Sequence, residues 1–140
     1  LKQLPEKLAL EREGVKILLV HGSPCQNNEN IFPDLTKAQI NEIVADVKEN
    51  IIFCGHTHIP CGYQTDKGIT VVNDGSVGRP FTENPEACYV LADFNNGTYT
   101  IEHRFVSYDK EKAAEKLAKR HFEGAEKLAQ ILIKPISRHM

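Results

Sequence analysis

A pair of histidines in a fixed setting constrains this chain more than any other feature. His56 and His58 lie in the segment 55–60, GHTHIP, directly after the apolar run 51–54, IIFC. Four apolar residues in a row predict a buried strand, and the glycine lets the chain turn sharply where that strand ends. Two histidines at i and i+2 in such a turn can face one cleft, and imidazole is the commonest metal ligand in proteins. The pattern therefore predicts a metal site at the end of a buried strand.

Composition excludes several classes of function. The 140 residues are 41% hydrophobic and 26% charged, which is ordinary for a soluble globular domain. A net charge of −2 gives no patch for nucleic acid and no attraction to an anionic membrane. No apolar run approaches the ~20 residues of a membrane span, and no signal-peptide pattern opens the chain. The four cysteines form no C-x-x-C pair, and Cys54 and Cys88 lie in apolar strands, which favours a reducing cytoplasmic location.

The order of apolar patterns predicts an α/β domain. Residues 7–20 are predicted as a hairpin that turns at Glu13 and Gly14. Thr36 and Gln39 form a capping box ahead of a helix with one apolar face. The buried strand 51–54 follows, and a strand, loop, helix and strand in succession favour layered α/β packing.

The second half of the chain is predicted as short strands followed by helices. Segment 68–72 is one strand, and residues 88–106 form a hairpin around an Asn-Asn-Gly turn. From Asp109, a predicted N-cap, two apolar stripes separated by Gly124 indicate helices that pack against the domain.

Three polar loops follow predicted strands, and they form the candidate site. They are residues 21–24 (HGSP), 55–58 (GHTH) and 73–80 (NDGSVGRP). In α/β sheets, ligands bind outside the carboxyl ends of the strands. His21 therefore joins His56 and His58 as a candidate metal ligand, and three histidines suit hydrolytic metal chemistry. The other histidines lack such a setting and are interpreted as structural or solvated: His103, His121 and His139.

On the sequence alone, the carboxylate ligands of a metal pair are missing, and the acidic residues close to the loops are Asp34, Asp66 and Asp74. A dinuclear site needs a bridging carboxylate and about four to six ligands for each metal. Asp34 and Asp66 lie in predicted turns, and neither directly follows a buried strand. Cys25 and Cys61 follow site segments, but their spacing matches no zinc template, so we predict that neither is a ligand.

The three loops, in this order, resemble the C-terminal motifs of the calcineurin-like metallophosphoesterases. The likeness is greatest to the small bacterial and archaeal phosphodiesterase-type members, and it covers roughly residues 8–132. The resemblance implies a four-layer α/β/β/α sandwich with C-terminal helices and two divalent metal ions, whether Mn, Fe, Zn or Ni. It implies that His21 and His56 bind one metal and that His58 binds the other.

The same resemblance implies that part of the domain lies outside these residues. In the family, D-x-H, G-D-x-x-D and G-N-H-[DE] motifs precede these loops and supply the bridging Asp, further ligands and the histidine that assists the leaving group. None of these motifs occurs here, and the first residue is Leu1. We therefore expect residues 1–140 to be the C-terminal portion of one metallophosphoesterase domain, with no catalytic residue of its own besides metal ligands.

The glycine-rich loop 75–78 is expected to border the substrate. Arg79 could bind a phosphate, since a guanidinium suits bidentate oxyanion binding, although a surface salt bridge explains it equally well. Ser76 is the second candidate substrate contact. Asp74 stands where the family commonly has proline, so either its charge weakens phosphate binding by this loop or it points away from the site.

The leading functional hypothesis is hydrolysis of a phosphodiester or a small phosphorylated metabolite by a hydroxide held between two metals. The isolated fragment is expected to be inactive. A scaffold for protein complexes on the same fold is the alternative, because some relatives have lost hydrolysis, but a scaffold need not keep all three histidines. A structural zinc site is a weaker alternative, since such sites prefer four closed, cysteine-rich ligands. The sequence leaves the formation of a homo-oligomer open.

Overall fold

The computed structural model describes residues 3–83 and 86–134. In chain order, its elements in that part are β1 (Lys7–Arg12), β2 (Val15–Val20), α1 (Lys37–Ile43), β3 (Ile51–Cys54), β4 (Cys61–Gln64), β5 (Thr70–Asn73), β6 (Ala87–Asn95), β7 (Thr98–Val106), α2 (Lys110–Ala118) and α3 (Ala125–Ile133). The α/β class expected from the sequence is confirmed.

Five strands form one mixed sheet in the order β1-β2-β3-β5-β4. The central strands β2, β3 and β5 are parallel, while β1 and β4 are antiparallel to their neighbours at the two edges. The β1–β2 hairpin turns at Glu13 and Gly14, as predicted, and both have positive φ. Because parallel strands end at the same edge of a sheet, the residues that follow β2, β3 and β5 meet there.

Both faces of this sheet are covered. Ile52 and Val71 face Ile40 of α1 in one hydrophobic cluster, whereas their neighbours Ile51 and Val72 face the opposite side. The second cluster is closed by a two-stranded ribbon of β6 and β7, whose partly buried members are Val90, Phe94, Tyr99 and Ile101. Successive side chains of a strand point to opposite faces, so most residues of a strand covered on both sides are apolar.

Helix α1 begins at the predicted capping box. The Thr36 hydroxyl accepts from the Gln39 amide, and the Gln39 side chain accepts from the Thr36 amide. The helix ends at Ile43, yet Val44 remains buried beyond its last turn. The predicted apolar face is therefore present, although it extends past the helix itself.

Helices α2 and α3 pack against each other. Asp109 caps α2 by accepting from the Lys112 amide, as predicted. The buried alanines of the pair belong to neither hydrophobic cluster of the sheet: Ala114, Ala125 and Ala129. Small side chains let the two helices approach closely, so the apolar stripes assigned to packing on the domain are instead used mainly between the helices. No helix among residues 3–83 and 86–134 is long and apolar enough to cross a membrane.

Candidate metal and phosphate site

Hydrogen bonds beyond the strand ladders hold three strand ends together. The Gly55 amide donates to the His21 carbonyl at 2.9 Å, and the Asp74 amide donates to the Cys54 carbonyl at 2.8 Å. These bonds extend the parallel pairing of β2 with β3 and of β3 with β5 by one step. The three predicted loops therefore leave the sheet side by side.

His21 and His56 are brought into direct contact at this edge. Nε2 of His21 lies 3.1 Å from Nδ1 of His56, and the two rings meet edge to face with centroids 5.0 Å apart. Two imidazole nitrogens bound to one ion at ~2.1 Å are about 3.0–3.4 Å apart for angles between 90° and tetrahedral. The observed separation fits that range, so the donor pair suits a single divalent ion.

His58 forms its hydrogen bonds with the loop after β5. Its Nδ1 lies 2.7 Å from the Arg79 carbonyl, and its own carbonyl accepts from the Phe81 amide at 3.2 Å. A carbonyl can only accept, so Nδ1 carries a proton, and in the neutral ring this places the lone pair of His58 on Nε2. A ring nitrogen with a lone pair, fixed by a hydrogen bond at the other nitrogen, is the form in which histidine binds metals.

The acidic ligands of a complete metal pair are not found beside these histidines. Across residues 3–83 and 86–134, no group of three or more His, Cys, Asp or Glu side chains is arranged to hold one ion. The structure thus joins His21 with His56, and His58 does not complete a group of three with them. His139 lies outside the described residues.

Both histidines of the GHTH turn have left-handed backbone conformations. The φ angles are 63° at His56 and 62° at His58, with the buried Thr57 between them. Holding a residue that has a Cβ in the left-handed backbone region costs of order 1–3 kcal/mol. The conformation persists only where surrounding contacts stabilise it. Such strain is common at functional sites, because it aims side chains that a relaxed turn would direct elsewhere.

Asn73 is the residue that holds this turn, a role that was not predicted from the sequence. Its side chain is fully buried, and Nδ2 lies 2.8 Å from the Gly55 carbonyl, 2.9 Å from Thr57 Oγ1 and 3.2 Å from the Ile31 carbonyl. Its Oδ1 accepts from the Gly75 amide. Asparagine at the end of an apolar strand, just before a glycine loop, is the sequence feature that could have indicated it.

The carboxylate of Asp74 has little around it that offsets the cost of its burial. Its Oδ1 is buried without a hydrogen-bond partner in the described part of the chain. Burial raises the pKa of Asp74 to about 6, against a smaller opposing effect of His103. His103 itself lies with Nε2 2.8 Å from the Asn73 carbonyl, which gives it the structural role expected from the sequence. Burial raises the pKa of the Cys88 thiol, and the negative charge of Asp74 raises it further. The charge of Asp74 therefore affects a residue of the β6–β7 ribbon.

We expect Asp74→Asn to stabilise the protein at pH 7. The folded state holds the Asp74 proton more tightly than the unfolded state, so stability falls as pH rises from about 4 to 6 and stays low above. After allowance for partial exposure, the gain from Asn is about 1–2 kcal/mol at pH 7 and near zero at pH 4. Urea unfolding at both pH values checks this. An equal difference at the two pH values would contradict it.

The loop after β5 carries the two predicted substrate residues. Ser76 Oγ accepts from the Arg79 amide at 3.0 Å, which closes the turn, and the Ser76 carbonyl accepts from Cys88. Arg79 Nε is buried without a hydrogen-bond partner among the described residues, and the guanidinium lies 4.9 Å from the Phe81 ring centroid. The salt bridges in that part of the chain do not include Arg79, so the surface ion pair considered from the sequence is absent there.

The cysteines near the site have hydrogen-bond partners other than the histidines. Burial raises the pKa of Cys61 to about 11, and its Sγ donates to the Ile31 carbonyl. Cys25 is exposed and donates to the Ile43 carbonyl. Among the described residues, neither belongs to a group of three or more His, Cys, Asp or Glu side chains, and their exclusion from the ligand set stays a prediction.

Gly22 is required by a close backbone approach beside His21. A Cβ at this position would lie 2.6 Å from the Asn27 carbonyl oxygen, whereas one at Gly78 would meet open space. We expect Gly22→Ala to lower the free energy of unfolding by about 1–3 kcal/mol, because the backbone of the loop must move. Gly78→Ala is the matched control, and thermal unfolding compares them. Equal melting temperatures for the two variants would show that the loop yields without cost.

Comparison with known proteins shows the family of this chain. Residues 1–97, more than half of the chain, match the model of the calcineurin-like phosphoesterase superfamily domain. The chain therefore belongs to the calcineurin-like phosphoesterase superfamily. No curated protein matches the sequence.

Solved structures share the fold. A hypothetical protein from Pyrococcus horikoshii OT3 is 25% identical with a TM-score of 0.80, and the match covers 94% of this chain and 51% of that one. A metallophosphoesterase from Sphaerobacter thermophilus is 20% identical with a TM-score of 0.73, covering 94% and 58%. Vps29 from Entamoeba histolytica, solved with zinc, is 19% identical with a TM-score of 0.53, covering 75% and 63%. The chain thus spans about half to three-fifths of the first two structures' length.

Proposed function

We propose that these residues form part of a metal-dependent phosphoesterase that hydrolyses a phosphodiester or a small phosphorylated metabolite. The observation that carries the proposal is the 3.1 Å approach of His21 Nε2 and His56 Nδ1 at the carboxyl edge of the parallel strands. His21 and His56 hold one divalent ion, and Nε2 of His58 holds a second. Two such ions, whether Mn, Fe, Zn or Ni, supply charge neutralisation for phosphate oxygens and a water of lowered pKa.

The loop after β5 supplies the contacts to the phosphate. Arg79 Nε is a buried donor without a partner in the described residues, and a guanidinium matches the geometry of phosphate oxygens. Ser76 Oγ already accepts from the Arg79 amide, so its hydroxyl proton remains available to a substrate oxygen. A bound phosphate therefore completes the hydrogen bonding of this loop.

The remaining ligands come from outside these residues in our proposal. Three neutral imidazoles cannot balance the charge of two divalent ions, and no acidic side chain joins the histidine pair in the described part of the chain. Residues 1–140 are accordingly proposed as the C-terminal portion of one domain, which accords with coverage of 51% of the P. horikoshii structure. The absence of disulfide partners for the four cysteines supports a cytoplasmic location.

Hydrolysis of bis(p-nitrophenyl) phosphate tests the proposal. The full-length protein should lose turnover on treatment with EDTA and regain it with Mn²⁺, while the 140-residue chain should show none above a His56→Ala control. Metal-dependent turnover by the 140-residue chain would contradict the proposal that ligands from outside these residues complete the metal site. If the full-length protein neither binds metal nor turns over any phosphoester, the alternative of a protein-binding scaffold replaces the enzyme.

A further inference from the structure

Three residues at the edge of the site form a continuous stack. The rings of His58 and Phe81 lie 5.3 Å apart with an interplanar angle of 21°, which is a stacked arrangement. The guanidinium carbon of Arg79 lies 4.9 Å from the centroid of the same Phe81 ring, within cation–π range. One aromatic ring therefore contacts both the proposed metal ligand and the proposed phosphate contact.

The backbone of the same segment reinforces the stack. The Arg79 carbonyl accepts from Nδ1 of His58, and the Phe81 amide donates to the His58 carbonyl. His58 also has a strained φ of 62°, so its position depends on contacts from outside its own turn. The hydrogen bond at Nδ1 fixes one ring nitrogen, while rotation of the imidazole out of its plane is opposed by the stacked ring.

We propose that Phe81 is a positioning residue, which holds the His58 imidazole for metal binding and the Arg79 guanidinium for phosphate. This inference rests on the proposed function, because it assigns Phe81 a role toward those two residues. It predicts separable effects: the ring acts on metal affinity through His58 and on substrate affinity through Arg79. Partners that orient a metal ligand typically contribute about 10–100-fold in metal affinity or activity.

Two substitutions at Phe81 test the role of the ring in the full-length protein. Phe81→Leu removes the flat ring and keeps an apolar side chain of similar size, and Phe81→Tyr keeps the ring. We expect Mn²⁺ affinity, measured against a chelating dye, to fall about tenfold in Phe81→Leu and to change less than threefold in Phe81→Tyr. Unchanged affinity in Phe81→Leu, or an equal loss in both variants, would overturn the inference.

A readout without metal or turnover separates this inference from the proposed function. In the metal-free protein, the imidazole proton resonances of His58 should carry a ring-current shift that Phe81→Leu abolishes and Phe81→Tyr keeps. If Phe81→Leu does not fold, Arg79→Met serves instead: it should raise KM severalfold while Mn²⁺ affinity stays within threefold. A tenfold loss of Mn²⁺ affinity in Arg79→Met, or an unchanged KM, would overturn the division of roles. Failure of the unaltered protein to bind Mn²⁺ would instead overturn the proposed function.

Discussion

Replacing His56 with alanine should lower kcat/KM of the full-length protein for bis(p-nitrophenyl) phosphate by on the order of 10³-fold. His56 Nδ1 forms half of the donor pair with His21 Nε2, so its loss leaves one nitrogen where two held the ion. A metal ion contributes several kcal/mol to the stabilisation of charge in the transition state, and each 1.36 kcal/mol is a factor of ten in rate. The effect therefore exceeds that of any substitution that only reorients a ligand.

The control for this experiment is His121→Ala. His121 is exposed, and it lies between α2 and α3, away from the strand ends that carry the candidate ligands. Activity of the two variants should be measured with saturating Mn²⁺ and after circular dichroism has shown that both are folded. If the kcat/KM of His56→Ala lies within tenfold of that of the unaltered protein at any Mn²⁺ concentration, His56 is not a metal ligand. His56→Ala should also bind Mn²⁺ more weakly than His121→Ala does.

The meeting of the three candidate loops could be predicted because it depends on local pattern and on one rule of sheet topology. The apolar run before His56 predicts a buried strand, and the polar loops after three parallel strands must share an edge. Hairpins with Gly14 and with Asn96-Gly97 were predictable for the same local reason, since their turns need positive φ and the sequence supplies suitable residues. The capping box at Thr36 belongs to this class as well.

The rest depends on contacts between residues distant in sequence. Strand β4 has only four residues, includes Gly62 and alternates half-buried with exposed positions, so its pattern is too short to distinguish it from a loop. Asn73 contacts Ile31, 42 residues away, and no spacing rule indicates that contact. The stack of Phe81 on His58 depends in the same way on how the loop after β5 folds back over the GHTH turn. Pairing of strands predicts which loops meet, but not which side chains hold them in place.

Asn73→Asp should be the most destabilising single substitution at the site. Aspartate has nearly the same shape, but its ionised carboxylate has no proton to donate. The Gly55 and Ile31 carbonyls would then face a negative oxygen at 2.8 Å and 3.2 Å, in place of a donor. Loss of a buried donor costs about 1–3 kcal/mol, and an uncompensated buried charge adds to this, so we expect a loss of about 3–5 kcal/mol at pH 7.

The pH dependence of that loss distinguishes charge from packing. A buried carboxylate without a cation has a raised pKa, so the folded variant binds a proton more tightly than the unfolded chain. Its stability relative to the unaltered protein should therefore recover as pH falls from 7 toward about 4, the pKa of an unperturbed Asp, because a protonated Asp can again donate one hydrogen bond. Urea unfolding at pH 7 and pH 4.5 measures both quantities, and Asn28→Asp, at an exposed position, is the control. A loss below 1 kcal/mol at pH 7 would mean that other contacts hold the turn. The Asn73 amide also fixes the backbone on both sides of His56. The folded fraction of Asn73→Asp should therefore bind Mn²⁺ more weakly than the Asn28→Asp control does. Such a loss would connect the stability of the turn to the spacing of the histidine pair.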